Sequence, residues 1–296
     1  MSKIKSFTEI EEHIRNCFSI GSTFEKYGDN YKVLRSGKPR PSEGECKTDL
    51  YVEAISKSMK KEFKISIKKS NHEFLENKIT LERALQIFGK DASQIISNST
   101  KQIKNMFNSN LIKINNKVRH SEQLESLVTL GWKFEIMNKK SGHKSSKLLL
   151  SPSQILDVYA GSNLNEDKRN SKVCGKLVTD SGTANYIMVV DDEEKSLNHY
   201  ANEMQEISKY VIGKELYFAC KAQNYRVEKD KTDSNRPLSV WVKWSIINNK
   251  LRANLQFDKP LTIRANYVMD NIRNLLNQLD IRGGLFKDNI KKFYNI

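Results

Sequence analysis

Two residues with side chains suited to phosphodiester hydrolysis, Asp49 and Lys68, stand at the outer ends of two strand-like runs. The runs, residues 49–56 and 62–69, carry apolar residues at every second position, which predicts strands with one buried face. The mostly polar residues 57–61 predict a turn that joins the strands into a β-hairpin. A carboxylate can hold a divalent cation at a phosphate, and a neighbouring lysine can position the attacking water or stabilise developing charge.

The position of the turn sets which residues of the hairpin meet. A turn centred near residues 58–59 places Asp49 opposite Lys68, with Ser66 and Glu53 on the same face of the two strands. The opposite face, which we expect to line the core, is apolar and comprises Leu50, Val52, Phe63, Ile65 and Ile67. The sequence therefore predicts an acid and a lysine that meet at the open end of a hairpin.

The residues around this acid and lysine resemble the core of the PD-(D/E)XK nucleases. Residues 44–49 read GECKTD and residues 65–71 read ISIKKSN, a pattern most similar to restriction endonucleases of the MspI type. The resemblance implies a central sheet flanked by helices, a Mg²⁺ ion as cofactor, Asp49 as a metal ligand and Lys68 as the catalytic lysine. Ser66 stands where most members carry an acid, and the likeness covers only residues 42–71.

Two departures from the family's pattern leave the set of metal ligands open. Lys47 and Thr48 replace the proline that usually precedes the acid, and Ser66 is a weaker ligand for Mg²⁺ than a carboxylate. We expect the metal to lie nearest Asp49, Ser66 and Glu53, with the second carboxylate still to be identified.

A second placement of the motif uses Glu62 and Lys64, which would supply a true acid. It centres the turn near residues 56–57, at the start of the polar run, so the geometry of the hairpin favours Ser66 and Lys68. The missing carboxylate can also come from other parts of the chain: Glu53 in the hairpin, Glu45 in the loop before it, or Glu12 on the first helix.

The composition indicates a polyanionic partner. Fifty Lys and Arg stand against 35 Asp and Glu, which gives a formal net charge of +15 and a sequence pI near 9.5. Such an excess attracts nucleic acid. No apolar run is long enough to span a membrane, and the four cysteines form no CxxC pair, so we expect a cytoplasmic protein with reduced thiols.

The remaining periodicities predict a mixed α/β fold. Helical spacing of apolar residues predicts helices at residues 7–18, 81–88, 93–107, 121–130, 197–211 and 267–279. Strand patterns lie at residues 31–34, 132–137 after a stop at Gly131, 173–177, 186–190, 215–227 and 238–257, the last with a hairpin turn at Asn248 and Asn249. The polar run 138–147 predicts a boundary between a nuclease core, residues 1–140, and a C-terminal α+β DNA-recognition part, residues 148–296.

Basic and polar residues in three regions are candidates for contacts with DNA. They are Lys69, Ser70 and Asn71 after the hairpin, Lys140 and Lys144 in the polar run, and Arg226, Arg236, Lys243 and Arg252 in the C-terminal part. Trp241 and Trp244 lie among the last of these residues, and for both we expect packing in the core.

Together these features predict a Mg²⁺-dependent type II restriction endonuclease that cleaves duplex DNA at a short specific sequence. A homodimer and a cognate DNA methyltransferase in the same system are further partners that this function allows. Two alternatives stay open: a structure-specific or repair nuclease of the same fold, and a DNA-binding protein whose hairpin is inactive. The presence of Ser66 instead of an acid keeps the inactive alternative in consideration.

Overall fold

The chain folds into two compact units, each built from two separate segments. A computed structural model describes residues 6–115, 125–281 and 285–294. Unit 1 comprises residues 1–73 and 150–215, and unit 2 comprises residues 74–149 and 216–296. This division corrects the expected single boundary at residues 138–147, because the chain passes from one unit to the other three times. The mixed α/β class is confirmed, and no helix in the described ranges is long and apolar enough to cross a membrane.

The helices and strands of the described residues are as follows. The helices are α1 (Phe7–Cys17), α2 (Leu81–Phe88), α3 (Ala92–Gln102), α4 (Pro152–Ala160), α5 (Glu166–Arg169), α6 (Leu197–Glu203), α7 (Ile207–Tyr210), α8 (Ala265–Gln278) and α9 (Phe286–Phe293). The strands are β1 (Thr23–Lys26), β2 (Asp29–Gly37), β3 (Leu50–Ser56), β4 (Met59–Lys69), β5 (Phe74–Glu76), β6 (Ile112–Asn115), β7 (Glu125–Met137), β8 (Ser145–Leu148), β9 (Lys172–Val173), β10 (Lys176–Leu177), β11 (Tyr186–Val190), β12 (Gln205–Glu206), β13 (Leu216–Arg226), β14 (Lys231–Thr232), β15 (Pro237–Leu238), β16 (Val240–Ile247), β17 (Lys250–Gln256) and β18 (Ile263–Arg264).

Unit 1 is organised around a six-stranded sheet in the order β1-β2-β3-β4-β11-β12. Strand β4 lies inside this sheet, antiparallel to β3 and parallel to β11. One face of the sheet packs against α1 and α6, and the core there includes the predicted apolar side of the hairpin. Its members from the hairpin are Leu50, Val52, Phe63, Ile65 and Ile67, all buried. The predicted core face of the hairpin is therefore confirmed.

Helix α1 begins where the sequence predicts because Ser6 and Glu9 form a capping box at its N-terminus. The Ser6 hydroxyl accepts the N–H of Glu9, and the Glu9 carboxylate accepts the N–H of Ser6. This reciprocal pair satisfies two of the backbone donors that a helix N-terminus leaves without partners. Ile10 and Ile14, one turn apart, then carry the buried stripe of the helix into the core.

The turn of the β3–β4 hairpin is shorter than the polar run suggests. Lys57 and Ser58 alone form it, both with left-handed φ angles, of 47° and 68°. Two successive residues with positive φ match the tight turn that suits the right-handed twist of a hairpin. Met59 therefore already belongs to β4 and pairs with Ser56.

The register of the hairpin differs from the prediction as a consequence. Leu50 pairs with Ile65, so Asp49 lies beside Ser66 and not opposite Lys68. The difference amounts to two residues along β4, because the turn is centred one residue earlier than predicted, at residues 57–58. A shift by an even number keeps every side chain on its predicted face, since side chains alternate with a period of two.

Two predicted helices are wrong in whole or in part. Residues 125–130 belong to β7 and not to a helix over residues 121–130, of which 121–124 lie outside the described residues. The strand also continues through Gly131, where the sequence predicts a stop. The predicted helix over residues 197–211 is divided into α6 and α7 by β12, whose Gln205 pairs with Ile187 of β11.

Unit 2 contains an eight-stranded sheet whose main path is β14-β13-β7-β16-β17, with β5, β6 and β8 paired along β7 and β13. The predicted turn between β16 and β17 is confirmed, because Asn248 and Asn249 both adopt left-handed φ angles, of 50° and 59°. Trp244 is buried and its indole N–H donates to the Thr129 carbonyl at 3.0 Å, which confirms core packing for this tryptophan. Trp241 is half-buried on the opposite side of β16.

The passage of β7 through Gly131 predicts a steric requirement for glycine. A Cβ atom on Gly131 would lie 2.8 Å from the Cα atom of Trp241 and closer still to the Val240 carbonyl oxygen. We expect Gly131→Ala to lower the free energy of unfolding by about 3 kcal/mol, at the upper end of overpacking costs. Chemical denaturation followed by circular dichroism measures the change.

Gly142→Ala provides the matched control for this substitution. Gly142 also has a positive φ angle, of 72°, but nothing lies within 4 Å of the position of its Cβ. Its replacement should cost only the left-handed backbone penalty, about 1 kcal/mol. Equal losses in the two variants would show that close packing against Val240 is not what requires glycine at residue 131.

Candidate active site

A cleft in unit 1 collects acids and cations from α1, from the loop before β3 and from the start of that strand. Its volume is about 490 Å³, and it is lined by Thr8, Glu11, Arg15, Lys38, Pro39, Arg40, Pro41, Gly44, Glu45, Cys46, Thr48 and Asp49. Three carboxylates and three cationic side chains thus share one opening. Carboxylates can hold a divalent cation and the cations can contact phosphate oxygens, so the lining combines the two needs of phosphodiester chemistry.

Backbone hydrogen bonds fix Asp49 in this cleft. The Gly182 carbonyl accepts the N–H groups of Lys47 at 3.0 Å and Thr48 at 3.2 Å, and the Ile65 carbonyl accepts the N–H of Asp49 at 2.9 Å. A Cβ atom at Gly182 would overlap the Lys168 carbonyl oxygen and lie 2.9 Å from the Cys46 Cβ atom, so the close packing of this residue requires glycine. Lys47, Thr48 and Asp49, which directly precede β3, are therefore fixed by backbone hydrogen bonds of their own.

The Asp49 side chain meets three donors of β4 through one oxygen. Its Oδ2 atom accepts the backbone N–H of Ile67 at 2.8 Å and lies 3.4 Å from the Ser66 hydroxyl and 3.5 Å from the Lys68 ammonium. The structure thus brings together Asp49, Ser66 and Lys68, the trio that the sequence singles out. Asp49 and Lys68 keep 19% and 27% of their side chains exposed, so solvent and a substrate can reach both.

Glu11 is the carboxylate that the sequence analysis missed. It lines the cleft from α1, and its Oε2 atom lies 3.7 Å from the Arg15 guanidinium. Burial raises the pKa of Glu11, and the negative charge of Asp49 raises it further, while the charges of Lys38, Arg15 and Lys68 oppose the shift. The influence of Asp49 on this pKa indicates that the two carboxylates share one electrostatic environment.

A helical spacing in the sequence could have identified Glu11. Thr8, Glu11 and Arg15 are separated by three and four residues, so they form one polar stripe of α1, and all three line the cleft. Glu12, the residue considered from the sequence, lies one position further around the helix and is exposed. Glu45, another residue considered, does line the cleft.

Glu53, predicted near the metal, lies elsewhere on the strand. Four residues separate it from Asp49, which amounts to about 13 Å along β3. Its carboxylate is engaged by Lys60 at 2.9 Å and by Arg35 at 3.9 Å. The structure therefore keeps Glu53 on the predicted face but does not bring it to Asp49.

The second placement of the motif, at Glu62 and Lys64, is also displaced from Asp49. Glu62 is opposite Glu53 in the hairpin and accepts a 2.5 Å hydrogen bond from the Tyr51 hydroxyl. Burial and this contact raise the pKa of Tyr51. Lys64 pairs with Tyr51, so neither residue of this placement adjoins the Asp49 carboxylate.

The oxygen atoms of the cleft fit a hard divalent cation. The second oxygen of Asp49 accepts no hydrogen bond from the described residues, and the buried Thr48 hydroxyl has no hydrogen-bond partner there. Mg²⁺ uses one or two carboxylates and completes its shell with water and phosphate oxygens, and Asp49 and Glu11 are two acids of the cleft that could supply those carboxylates. No group of three or more His, Cys, Asp or Glu side chains suited to a metal occurs among the described residues.

The cations around Asp49 extend beyond the predicted lysine. Arg15, Lys38 and Arg40 line the cleft, and the sequence analysis selected none of them. His72 adds no charge, because burial, followed by the nearby charges of Lys68 and Lys47, lowers its pKa to about 4. At neutral pH this imidazole is uncharged beside a cationic group of side chains.

The residues predicted to contact DNA differ in their exposure and in whether they form ion pairs. After the hairpin, Lys69 forms an ion pair with Asp192 at 2.7 Å, while Ser70 and Asn71 are exposed. In unit 2, Lys140 is exposed, and burial lowers the pKa of Lys144, which lies over the Trp132 ring.

The four predicted residues in the second segment of unit 2 also differ from one another. Arg226 forms ion pairs with Asp233, at 2.7 Å, and with Glu125, so its guanidinium is engaged within the protein. Arg236 is half-buried, whereas Lys243 and Arg252 are exposed on β16 and β17.

Comparisons with known proteins add no assignment to this geometry. No family model matches the chain, and no match was found among the curated proteins or the solved structures compared with it. The interpretation of the cleft therefore depends on its own residues.

The raised pKa of Glu11 predicts that this side chain destabilises the metal-free fold. A carboxyl with a folded pKa above its unfolded value, here 4.5, is disfavoured in its ionised form within the fold. The cost is absent below the unfolded pKa and fully present above the folded pKa. Glu11→Gln should therefore raise the thermal unfolding midpoint at pH 7 in EDTA, with the difference vanishing below about pH 4.

Glu12→Gln is the control for this experiment, because Glu12 is the adjacent acid on the same helix and is exposed. Its replacement should leave the midpoint close to that of the wild type at both pH values. A lower midpoint for Glu11→Gln at pH 7 would mean that the pair with Arg15 outweighs the cost of burying the charge.

Proposed function

We propose that this chain is a Mg²⁺-dependent DNA endonuclease whose reaction takes place in the unit 1 cleft. One observation carries the proposal: the carboxylate of Asp49, which lines the cleft together with Glu11 and three cations, lies 3.5 Å from the ammonium of Lys68. Acid and lysine in contact at a partly exposed site are the pair that metal-assisted phosphodiester hydrolysis requires.

The proposal assigns roles to five charged residues that line the cleft and to Lys68 beside Asp49. Asp49 and Glu11 would hold Mg²⁺, which when bound polarises a phosphate oxygen and favours a hydroxide nucleophile. Lys68 orients the attacking water and stabilises the charge that develops on the phosphate. Arg15, Lys38 and Arg40 neutralise the phosphates that enter beside the scissile bond.

The finer form of the proposal is a type II restriction endonuclease with a PD-(D/E)XK core. A mixed sheet with the acid at the start of one strand and the lysine on the next supports this assignment. Sequence-specific cleavage of duplex DNA, a homodimeric assembly and a cognate methyltransferase belong to this finer form. Cleavage restricted to branched DNA would support the structure-specific nuclease instead.

The first prediction from this proposal concerns Asp49 and Lys68. In 10 mM Mg²⁺, a concentration on the order of those that saturate such sites, we expect the protein to cut plasmid DNA into discrete fragments and EDTA to abolish cutting. Asp49→Asn and Lys68→Met should each reduce the rate at least about 100-fold, because the first removes a ligand of the proposed Mg²⁺ and the second removes the cation that stabilises charge on the scissile phosphate. Gel electrophoresis of supercoiled and linear plasmid over a time course measures the rate.

Lys64→Met is the matched control, since Lys64 lies on the same strand and face but pairs with Tyr51. Its rate should stay within about threefold of the wild type, the range of a surface charge lost outside the site. Loss of cutting in Lys64→Met with normal cutting in Lys68→Met would favour the Glu62 placement. Unchanged cutting in Asp49→Asn would contradict the proposed site.

The second prediction separates the two neighbouring acids of α1. Glu11→Gln should reduce Mg²⁺-dependent cutting at least about 100-fold, because a neutral amide is a poor ligand for Mg²⁺. Glu12→Gln should cut at the wild-type rate, since that carboxylate is exposed and lies off the cleft. The same plasmid assay serves, and equal rates in both variants would remove Glu11 from the proposed ligand set.

A further inference from the structure

The net positive charge of the chain lies entirely in unit 2, the unit that lacks the cleft. Unit 2 contains 28 Lys and Arg against 13 Asp and Glu, whereas unit 1 contains 22 of each. The whole formal net charge of +15 therefore belongs to unit 2. Because unit 1 is neutral as a whole, attraction of a polyanion at long range must come mainly from unit 2.

Unit 2 presents a two-stranded ribbon, formed by β16 and β17. Val240 and Trp241 are the residues of β16 that pair with β7, so residues 242–247 have β17 as their strand partner among the described residues. Strand β17 ends the main strand order of the sheet, and its other edge pairs with no described strand. The ribbon thus extends past the sheet and offers both an edge and an outer face.

The inner face of the ribbon is part of the core. Val242, Trp244 and Leu251 are buried, and Trp244 packs edge-on against Tyr294. This packing fixes the orientation of both strands, so the alternate side chains are directed away from the core. The ribbon is therefore a supported element and not a loose hairpin.

Six of the eight residues of the outer face are of types that contact bases or phosphates in DNA. Four cross-strand pairs compose it: Trp241 with Gln256, Lys243 with Asn254, Ser245 with Arg252, and Ile247 with Lys250. It contains two lysines, one arginine, one asparagine, one glutamine and one serine, and no acid. Among the described residues, Lys243 and Arg252 are exposed and have no ion pair. Lys250 donates to the Lys292 carbonyl.

Protection of a sheet edge does not account for this composition. Exposed edges are commonly blunted by a lysine or a proline, which requires a single residue on the edge strand. Here six of the eight residues of the outer face are polar or basic, and they occupy both strands of the ribbon, which is more than the single residue that each edge would need. A surface that alternates cations with amide side chains instead matches the donors and acceptors of base pairs.

We propose that the outer face of the β16–β17 ribbon enters the major groove of duplex DNA and reads its sequence. This inference rests on the proposed function, since it assigns the surface that selects the DNA to be cut. Seven residues at about 3.4 Å each give a ribbon about 24 Å long. The major groove, about 12 Å wide, admits a two-stranded ribbon.

The residue types assign roles within this face. Arg252 pairs in bidentate fashion with a guanine, and Asn254 or Gln256 pairs with an adenine. Lys243 contacts a phosphate at the border of the groove, which supplies affinity without selecting a sequence. Affinity and sequence preference are therefore separable by substitution.

The test measures binding without cleavage. The full chain carrying Asp49→Asn is mixed in EDTA with a fluorescein-labelled duplex library that has a randomised 16-base-pair core, about the length that a bound protein of this kind covers. Bound duplexes are selected and sequenced, and the Kd of the selected duplex is measured by anisotropy at several salt concentrations. Adding Lys243→Ala and Arg252→Ala together should weaken binding at least about 10-fold.

Lys90→Ala with Lys229→Ala is the matched control. It also removes two exposed positive charges from unit 2, at positions outside the ribbon. Its Kd should stay within about threefold of the parent, because long-range charge alone is lost. Equal weakening in both double variants would overturn the proposal, since the ribbon would then act only through net charge.

Arg252→Lys distinguishes base reading from charge. It keeps the positive charge but loses the bidentate fork, so affinity for unselected duplexes should persist while preference at one base pair falls about 10-fold. An unchanged selected sequence would overturn the assignment of Arg252. Tighter binding to single-stranded DNA or to double-stranded RNA of equal length would overturn duplex DNA as the partner.

The binding and cutting measurements together distinguish failure of the ribbon from failure of the nuclease proposal. Loss of binding in the ribbon variant together with no Mg²⁺-dependent cutting by the wild type would uphold the ribbon and contradict the nuclease. Normal binding in the ribbon variant together with Mg²⁺-dependent cutting by the wild type would contradict the ribbon and leave the nuclease standing. Circular dichroism of each variant confirms that it is folded.

Discussion

The hydrogen bond from the Ile67 backbone N–H to the Asp49 carboxylate determines how the cleft is arranged. It ties the residue that precedes β3 to the strand that carries Ser66 and Lys68, so the backbone of β4 next to Lys68 stays beside the acid as long as this bond holds. A carboxylate that accepts a backbone N–H makes one of the stronger hydrogen bonds in proteins. The two carboxylate oxygens of Asp49 therefore differ: Oδ2 contacts groups of the protein, while Oδ1 is available to a ligand.

Placing two acids in the same cleft disfavours the ionised form of Glu11. Glu11 is held near Asp49 and partly buried, and both conditions raise its pKa. Arginine and lysine side chains around the opening offset that cost but do not remove it. Active sites commonly retain such unfavourable arrangements because the ligand relieves them, and a divalent cation between two carboxylates would do so here.

The sequence predicted the faces of the hairpin better than its register. Alternation fixes which side chains share a face, and Asp49, Ser66 and Lys68 follow it. The register depends on how many residues form the turn, and polar residues such as Lys60 and Lys61 occur both in turns and on exposed strands. Composition alone could not separate these cases, whereas the left-handed backbone of Lys57 and Ser58 does.

Other differences have equally specific causes. Glycine usually interrupts a strand, yet Gly131 lies within β7 because the backbone of β16 approaches too closely for a side chain. Glu11 was not predicted because it belongs to no strand pattern. Its position in the cleft follows from its spacing to Thr8 and Arg15 on one face of α1. The interleaved units could not be predicted, since the polar run before β8 resembles a linker although β8 pairs with β13.

The interleaving of segments also sets the order in which the cleft can be completed during synthesis. Strand β4 needs β11 along its second edge, and β11 follows it only after residue 185, with the first segment of unit 2 between them. Gly182, whose carbonyl holds Lys47 and Thr48, comes equally late. A nascent chain that has produced only its first half thus contains both Asp49 and Lys68 but lacks the parts that fix them in place, and the closure of so long a loop delays assembly of the site.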